Sequence, residues 1–347
     1  MNVLITGADG YIGAQLGPLL VERGHAVTGL DTGFYRAGWL YSDGARTYPA
    51  VLNRDIRELN EEDLVGFEAV VHMAELSNDP LGQLNPDVTY DINHRGSVEL
   101  AAKCKRAGVE RFVYTSSCSV YGAGSDDWKT EESAPNPQTA YADCKVRVER
   151  DVSRLADGAF SPTFLRNATA YGPSPRMRFD IVLNNLAGLA WTTKEIKLVS
   201  DGSPWRPLVH VLDICEAIAA VLEAPRKQIH NQVFNVGDTQ ENYRVREIAE
   251  VVAKTFPGCA LTVGASDGDN RSYRVSFDKI RDCLGFQCKR NIELGARQLR
   301  DIFARIDMKP ETFTFPAFTR LRQLEQLLAT GQVDERLRWT RSSPNGA

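Results

Sequence analysis

The chain has 347 residues, 43% of them hydrophobic and 27 of them glycine, the composition of an ordinary globular protein of about two domains. It carries 41 basic and 45 acidic residues, a net charge of −4, with no long single-sign run, which excludes a polyanion-binding surface and leaves room only for a local basic site. No apolar run reaches the ~18 residues of a membrane span, and the opening MNVLITGADG lacks the basic-then-apolar pattern of a secretory signal, so a cytoplasmic location is expected. Seven scattered cysteines, with no Cys-x-x-Cys pair and no histidine at zinc spacing, read as free thiols in a reducing compartment; no metal site is expected.

In chain order, Val3-Leu4-Ile5 reads as a buried strand and Tyr11 to Arg23 as a helix stopped by Gly24, with Pro18 an internal conflict that predicts a kink or an earlier end. Ala26 to Leu30 is the second strand, Ala69 to His72 a later one and Arg111 to Thr115 another. Between these last two, Asp87 to Ala107 shows helical spacing, with Gly108 as its stop. Strands alternating with helices imply right-handed βαβ units and a parallel sheet covered on both faces.

After about Leu165 the pattern becomes loop-rich. Helices are expected near Phe179 to Trp191, Asp213 to Glu223 and Val245 to Lys254, with strands at Leu208 to His210 and Val233 to Val236. This predicts a first domain over residues 1–165, rejoined by 208–236, and a smaller α/β domain over 166–310. A C-terminal extension over 311–347 carries an amphipathic helix, Phe318 to Ala329, and is expected to fray from Arg341 to Ala347.

Thr6-Gly7-Ala8-Asp9-Gly10-Tyr11-Ile12-Gly13 directly follows the first strand and opens a helix. Glycines so placed permit a tight turn, close backbone approach to a pyrophosphate and close helix–strand packing, and the helix N-terminus offers free N–H groups to the phosphates. Asp31 ends the second strand, where a carboxylate accepts both ribose hydroxyls of NAD and repels the 2′-phosphate of NADP; nearby Arg36 leaves NADP disfavoured rather than excluded. Tyr141-Ala-Asp-Cys-Lys145 begins a helix, and spacing i, i+4 puts phenol and ammonium on one face. A tyrosine of ordinary pKa ~10 is a poor base at neutral pH; a neighbouring Lys⁺ favours its phenolate.

With these motifs in place the sequence resembles the short-chain dehydrogenase/reductase superfamily, in its extended branch, the NAD-dependent nucleotide-sugar epimerase/dehydratase family. The likeness runs in order over about residues 1–290: Thr6 to Gly13; VVHMAE at Val70 to Glu75; Asn93 with Gly96; YTSSCSVYG at Tyr114 to Gly122; Tyr171-Gly172-Pro173; and DGSPWRPLVHVLDI. It implies a Rossmann-type doubly wound parallel sheet with a smaller C-terminal α/β substrate domain. It also implies that Ser117, Tyr141 and Lys145 are catalytic, with Ser117 bonding the reacting sugar oxygen, Tyr141 acting as acid/base and Lys145 as its partner and a ribose ligand. Ser116 and Ser119 are read as backbone caps. NAD would be held by Gly7, Asp9, Gly10, Tyr11, Ile12, Gly13, Asp31, Asp55, Ile56, Met73, Ala74, Asn93, Tyr141 and Lys145, with Asp55-Ile56 meeting the adenine. Arg206 would meet the diphosphate of a nucleotide-sugar substrate, with Arg271 a second contact and Ser117 at the sugar; a guanidinium suits the task because it forks onto phosphate oxygens.

Three departures matter. Glu75 stands where the family has alanine, and either contacts substrate or pairs with an arginine. Thr169 replaces a frequent asparagine at the sugar-phosphate contact. Ser77, Asn78 and Asp79 lie in a loop that often lines the sugar site. Relatives that dehydrate or decarboxylate place carboxylates after the catalytic Ser/Thr, whereas this chain has Ser117-Cys118-Ser119. That predicts chemistry needing one hydride and one proton at C4, foremost 4-epimerisation through a 4-keto sugar. The alternative is a C4 reductase or dehydrogenase with exchangeable NAD(P)(H); a 4,6-dehydratase and a non-catalytic dinucleotide sensor rank lower. Relatives often dimerise through the helices corresponding to Asp87–Ala107 and Tyr141–Leu155, so a homodimer is expected.

Overall fold

A computed structural model describes residues 1–77, 85–122, 127–266 and 272–340. Seven parallel strands form the main sheet: β1 (Asn2–Thr6), β2 (Ala26–Asp31), β3 (Val51–Asn53), β4 (Ala69–His72), β5 (Arg111–Ser117), β6 (Ser161–Asn167) and β7 (Gln232–Val236). Their spatial order, β3-β2-β1-β4-β5-β6-β7, reverses direction between β1 and β4. In a doubly wound sheet that crevice at the carboxyl ends is where ligands bind.

Alternation along each strand divides the apolar residues between two faces. Val3, Ile5, Val71, Val113 and Leu165 meet Leu16 and Leu20 of helix α1 (Gly13–Glu22) and Ile214 and Ile218 of a second covering helix, Val211–Glu223. Leu4, Val70, Phe112, Tyr114 and Phe164 face the other way, against α2 (Ser97–Arg106) and α3 (Ala140–Ser153). Pro18 stands within α1, which runs past it to Glu22 and begins two residues later than the expected Tyr11.

The expected single helix over Asp87–Ala107 is three pieces: Pro86–Thr89, a π-helical run at Tyr90–Gly96, and α2. Such wide turns place a side chain that a regular helix would point elsewhere. Here it is Asn93, whose Oδ1 accepts from the Leu76 amide at 2.8 Å while Nδ2 donates to the Leu76 carbonyl at 2.9 Å.

The second layer of structure lies over residues 169–210 and 242–310. A three-stranded sheet joins Trp205–His210 to Thr169–Tyr171 and Asn242–Arg244. Trp205–His210 therefore belongs to this second sheet, and the chain rejoins the main sheet only with the helix Val211–Glu223 and β7. Helices Val182–Thr192, Val245–Thr255 and Ile292–Arg305 pack together around Phe256 and Phe303. The last of these is not among the expected helices, although Ile292, Ala296, Leu299 and Phe303 recur at helical spacing behind the Asn291 cap. The C-terminal helix Arg320–Ala329 turns back onto the first domain, where Leu324 and Leu327 meet Phe34, Val88 and Ile92. The expected fraying of 341–347 lies outside the described residues.

All seven cysteines are free, with Cys104, Cys118, Cys144 and Cys215 buried. Among the described residues no helix is long and apolar enough to cross a membrane, and no cluster of potential ligands could hold a metal ion.

Candidate active site

A cavity of about 1120 Å³ opens at the carboxyl ends of the strands, beyond the usual few hundred to ~1,000 Å³ of a site for one small ligand. One end is built by β1 and α1. Gly7 has φ +78, and a Cβ there would lie 2.9 Å from the backbone of Met73 and Ala74; a Cβ on Gly13 would lie 2.3 Å from the Gly7 carbonyl oxygen. Side chains are thus excluded on both sides of the turn. Helix α1 has no side-chain cap and no acid in its first turn; the Ala14 and Gln15 amides bond the Gly10 and Ile12 carbonyls, and the positive end of its dipole favours an anion.

Asp31 lines this end, accepting from the Gly33 amide at 2.8 Å and the Asp9 amide at 3.1 Å. Burial pushes its carboxyl up to about 6, with those two amides pulling the other way. Asp55 and Ile56 follow around the wall; the Asp55 carboxylate is already held by Arg57, whose Nη2 lies 2.6 Å away. Met73 and Ala74 also line the cavity, and both amides lie 3.3 Å from Thr6 Oγ1.

Two expected ligands have other tasks. Asp9 is turned to Arg36 Nε at 3.3 Å and Arg176 Nη2 at 3.4 Å, while its own amide holds Asp31. Asn93 is completely buried, with its amide consumed by Leu76, so it positions the wall rather than contacting a ligand. Tyr11 lines the cavity, but its hydroxyl donates to the Gly172 carbonyl at 2.6 Å, tying the glycine turn to the second layer.

At the other end Ser117, Tyr141 and Lys145 line the same cavity, on β5 and the first turns of α3. Thr139 caps α3 through the Ala142 amide at 3.2 Å, which sets where Tyr141 and Lys145 begin. The Lys145 ammonium is buried. It donates to the Thr115 carbonyl at 2.5 Å, lies 2.5 Å from Glu75 Oε2, and stands 5.4 Å from the Tyr141 ring centre and 4.6 Å from that of Tyr114. Burial works against its charge, yet Glu75, followed by Tyr141, outweighs burial and holds it above the ordinary lysine range.

Glu75 is the clearest departure from expectation. It lines the cavity and pairs with a lysine rather than an arginine: Oε1 accepts from the Tyr114 hydroxyl at 2.5 Å and Oε2 lies 2.5 Å from Lys145 Nζ. Ser97 Oγ is 2.7 Å from His72 Nε2, and His72 Nδ1 is 2.7 Å from Thr6 Oγ1. Burial, then the Lys145 charge, keeps that imidazole neutral, with its pKa pushed down to about 3. Two buried polar sets thus lie under the cavity, one from Thr6 through His72 to Ser97 and the other joining Tyr114, Glu75 and Lys145. The sequence showed the odd residue but not its partner.

Ser117 and its two serine neighbours differ in their partners. Ser117 Oγ accepts from the Ser119 amide at 3.1 Å, so it makes the cap expected of its neighbours. Ser119 Oγ lines the cavity, buried and without a partner among the described residues, as does Asn167 Oδ1. Such groups are costly unless a ligand satisfies them. Ser116 instead donates to Glu149 at 2.5 Å. Ser77, Thr169 and Arg206 all line the cavity, whereas Arg271, Asn78 and Asp79 lie outside the described residues. Sequence reasoning missed Arg178 and Asp180, whose bidentate pair at 2.9 Å forms part of the wall, and Arg320 from the C-terminal helix. No local motif marks any of the three.

The model of the NAD dependent epimerase/dehydratase family matches residues 3–237. The chain belongs to that family. It is 30% identical to a UDP-glucose 4-epimerase of Mycolicibacterium smegmatis, over 83% of this chain and 93% of that protein. Among solved structures it is similar to MoeE5 in complex with UDP-glucuronic acid and NAD, at 27% identity and TM-score 0.76, covering 88% of this chain and 99% of the other. It is similar to the same degree to TunA, an NAD-dependent NDP-hexosamine 5,6-dehydratase, at 26% identity and TM-score 0.76, again over 88% and 99%. This member is an NAD-dependent enzyme of the extended short-chain type. Its glycine cradle, uncapped helix end and ribose-side carboxylate fit that cofactor.

Proposed function

We propose that this enzyme inverts C4 of a nucleotide-diphosphate sugar through a 4-keto sugar, with a uridine nucleotide the first choice because two of the named relatives act on or hold such compounds. The observation that carries the reading is the set of groups around the reacting end: the Ser117, Tyr141 and Lys145 triad lines the cavity, while the next two positions offer no acid. Cys118 is buried with its thiol on the Arg166 carbonyl, and Ser119 presents only a hydroxyl. Glu75, the nearby buried carboxylate, is committed to Lys145 and Tyr114.

NAD, when bound, supplies reversible hydride acceptance at the sugar carbon. The rest falls to the chain. Tyr141 as phenolate takes the C4 hydroxyl proton, favoured by the Lys145 charge beside it. Ser117 donates to the same oxygen as its charge changes. After the ketone presents its other face, Tyr141 returns the proton. Arg206 holds the diphosphate, and Ser119 and Asn167 are the groups a sugar hydroxyl would satisfy. A cytoplasmic homodimer through α2 and α3 belongs to the same proposal, and sedimentation decides its assembly.

The test is to incubate the protein with UDP-glucose and, separately, UDP-glucuronic acid, following the sugar by NMR and the nicotinamide by absorbance. Epimerisation gives the C4 epimer without net reduced cofactor. Stoichiometric reduced cofactor would replace it with C4 redox chemistry, and a deoxy-keto sugar with dehydration. Tyr141→Phe should lower turnover by about 10²- to 10⁴-fold while the dinucleotide stays bound; unchanged turnover would overturn the assignment.

A further inference from the structure

The C-terminal extension lies beyond the stretch matched by the family, yet it supplies part of the cofactor cavity. Arg320 is only 3% exposed and lines that cavity. Its guanidinium stacks on the Tyr35 ring at 4.0 Å, Nη1 donates to the Ala317 carbonyl at 3.2 Å, and its amide lies 3.3 Å from Asp180 Oδ2. Both Asp180 oxygens are gripped by the Arg178 guanidinium, so the carboxylate beside Arg320 is already paired with another arginine. Burial, then the neighbouring Arg178 charge, lowers the Arg320 pKa to about 10, whereas Tyr35, Asp180 and Asp31 support its charge. A cation buried under these conditions is stabilised by any anion that enters beside it.

The extension is fastened to the segments that form the Asp31 side of the cavity. Gln323 Nε2 donates to the Phe34 carbonyl at 2.9 Å and Trp339 Nε1 to the Thr32 carbonyl at 2.7 Å, with the Trp339 and Phe34 rings 5.6 Å apart. Arg57, which grips Asp55, also donates to the Arg336 carbonyl at 3.1 Å.

We propose that the extension is a fixed wall of the dinucleotide site and that Arg320 binds a phosphate oxygen of the cofactor. The stacking on Tyr35 and the anchoring at 32–35, directly after Asp31, place this charge on the adenosine side rather than by Arg206. The proposal rests on the cofactor site alone and is independent of what happens to the sugar.

The test is binding, by calorimetry, of ADP-ribose, adenosine and UDP to protein stripped of cofactor. Arg320→Gln should weaken ADP-ribose by about ten- to hundredfold, the worth of a charge-assisted hydrogen bond, while leaving adenosine and UDP unchanged. Arg320→Lys, which keeps the charge, should recover part of the loss. Equal ADP-ribose affinity in Arg320→Gln would overturn the proposal, and a loss confined to UDP would reassign the arginine to the substrate diphosphate. Hydrogen exchange on the wild-type chain decides the matter if the variants do not fold. ADP-ribose should slow exchange over residues 316–329 and UDP should not; no protection by ADP-ribose would refute the proposal.

Discussion

Glu75 Oε2 lies 2.5 Å from Lys145 Nζ, so the ammonium that stands 5.4 Å from the Tyr141 ring centre, and that we propose promotes its ionisation, is itself balanced by a buried carboxylate. The two charges act on the phenol in opposite senses. Lys145 favours phenolate and Glu75 disfavours it, because like charges repel across a low-dielectric interior.

Glu75→Gln keeps a polar partner for Tyr114 and removes the negative charge. Tyr141 should then ionise at lower pH, moving the acidic limb of the kcat/KM profile down. Without Glu75, burial lowers the Lys145 pKa, so activity should also fall earlier on the alkaline side. An unshifted profile would mean that Glu75 serves packing only. Loss of one partner of a buried pair should cost about 3–5 kcal/mol of stability, measurable by urea unfolding.

Asp31 predicts a second pH dependence. Its carboxyl is pushed up to about 6 by burial, and the charged form is the better acceptor for ribose hydroxyls. NAD affinity should be constant above that pH and decline as pH falls through it. Asp31→Asn should bind NAD more weakly and with a flatter pH response, read by calorimetry across pH 5 to about 8. The same shift has the opposite sense for folding: a carboxyl with a raised native pKa destabilises the native state as pH rises from the ordinary value of 3.8 through about 6.

A third prediction concerns stability away from the cavity floor. Arg166 reaches Glu149 with Nε at 3.0 Å and Nη2 at 2.7 Å and donates from Nη1 to the Tyr121 hydroxyl at 3.0 Å, while Ser116 donates to the same glutamate. Glu149→Ala leaves a buried guanidinium without its carboxylate and should cost about 3–5 kcal/mol. The replacement of both residues by apolar ones of similar size should cost less than the single change.

Gly13→Ala should act on cofactor retention. Its Cβ would collide with backbone atoms of Gly7 and Ala8, which cannot rotate away. We expect the purified variant to hold at least about tenfold less NAD than wild type, the consequence of ~1.4 kcal/mol or more of lost affinity. Retention at wild-type level would show that the turn can move without harm.

Local spacing made much of this legible before any coordinates. The glycine turn, Asp31 and the Tyr141–Lys145 pair are set by neighbours within one turn or one strand end, and Ser117 comes from the strand that must end at the same crevice. Those signals are short because the physics behind them is short-ranged: a helix face, a strand terminus, a position without a Cβ. The sequence by itself therefore determined the parallel α/β architecture, the dinucleotide turn and the absence of carboxylates at positions 118 and 119.

Tertiary structure alone decided the remainder. Glu75 and Lys145 are 70 positions apart in the chain and meet only because β4 and β5 are adjacent strands and α3 crosses their ends. Asn93 turns from ligand to brace because a π-helical run aims it at Leu76. Arg320 reaches the cofactor wall because the apolar face of its helix needs cover and finds it on Phe34, Val88 and Ile92. Burial of that face is non-directional, so no local pattern could name its partner; the partner, once found, fixes which charges share the cavity.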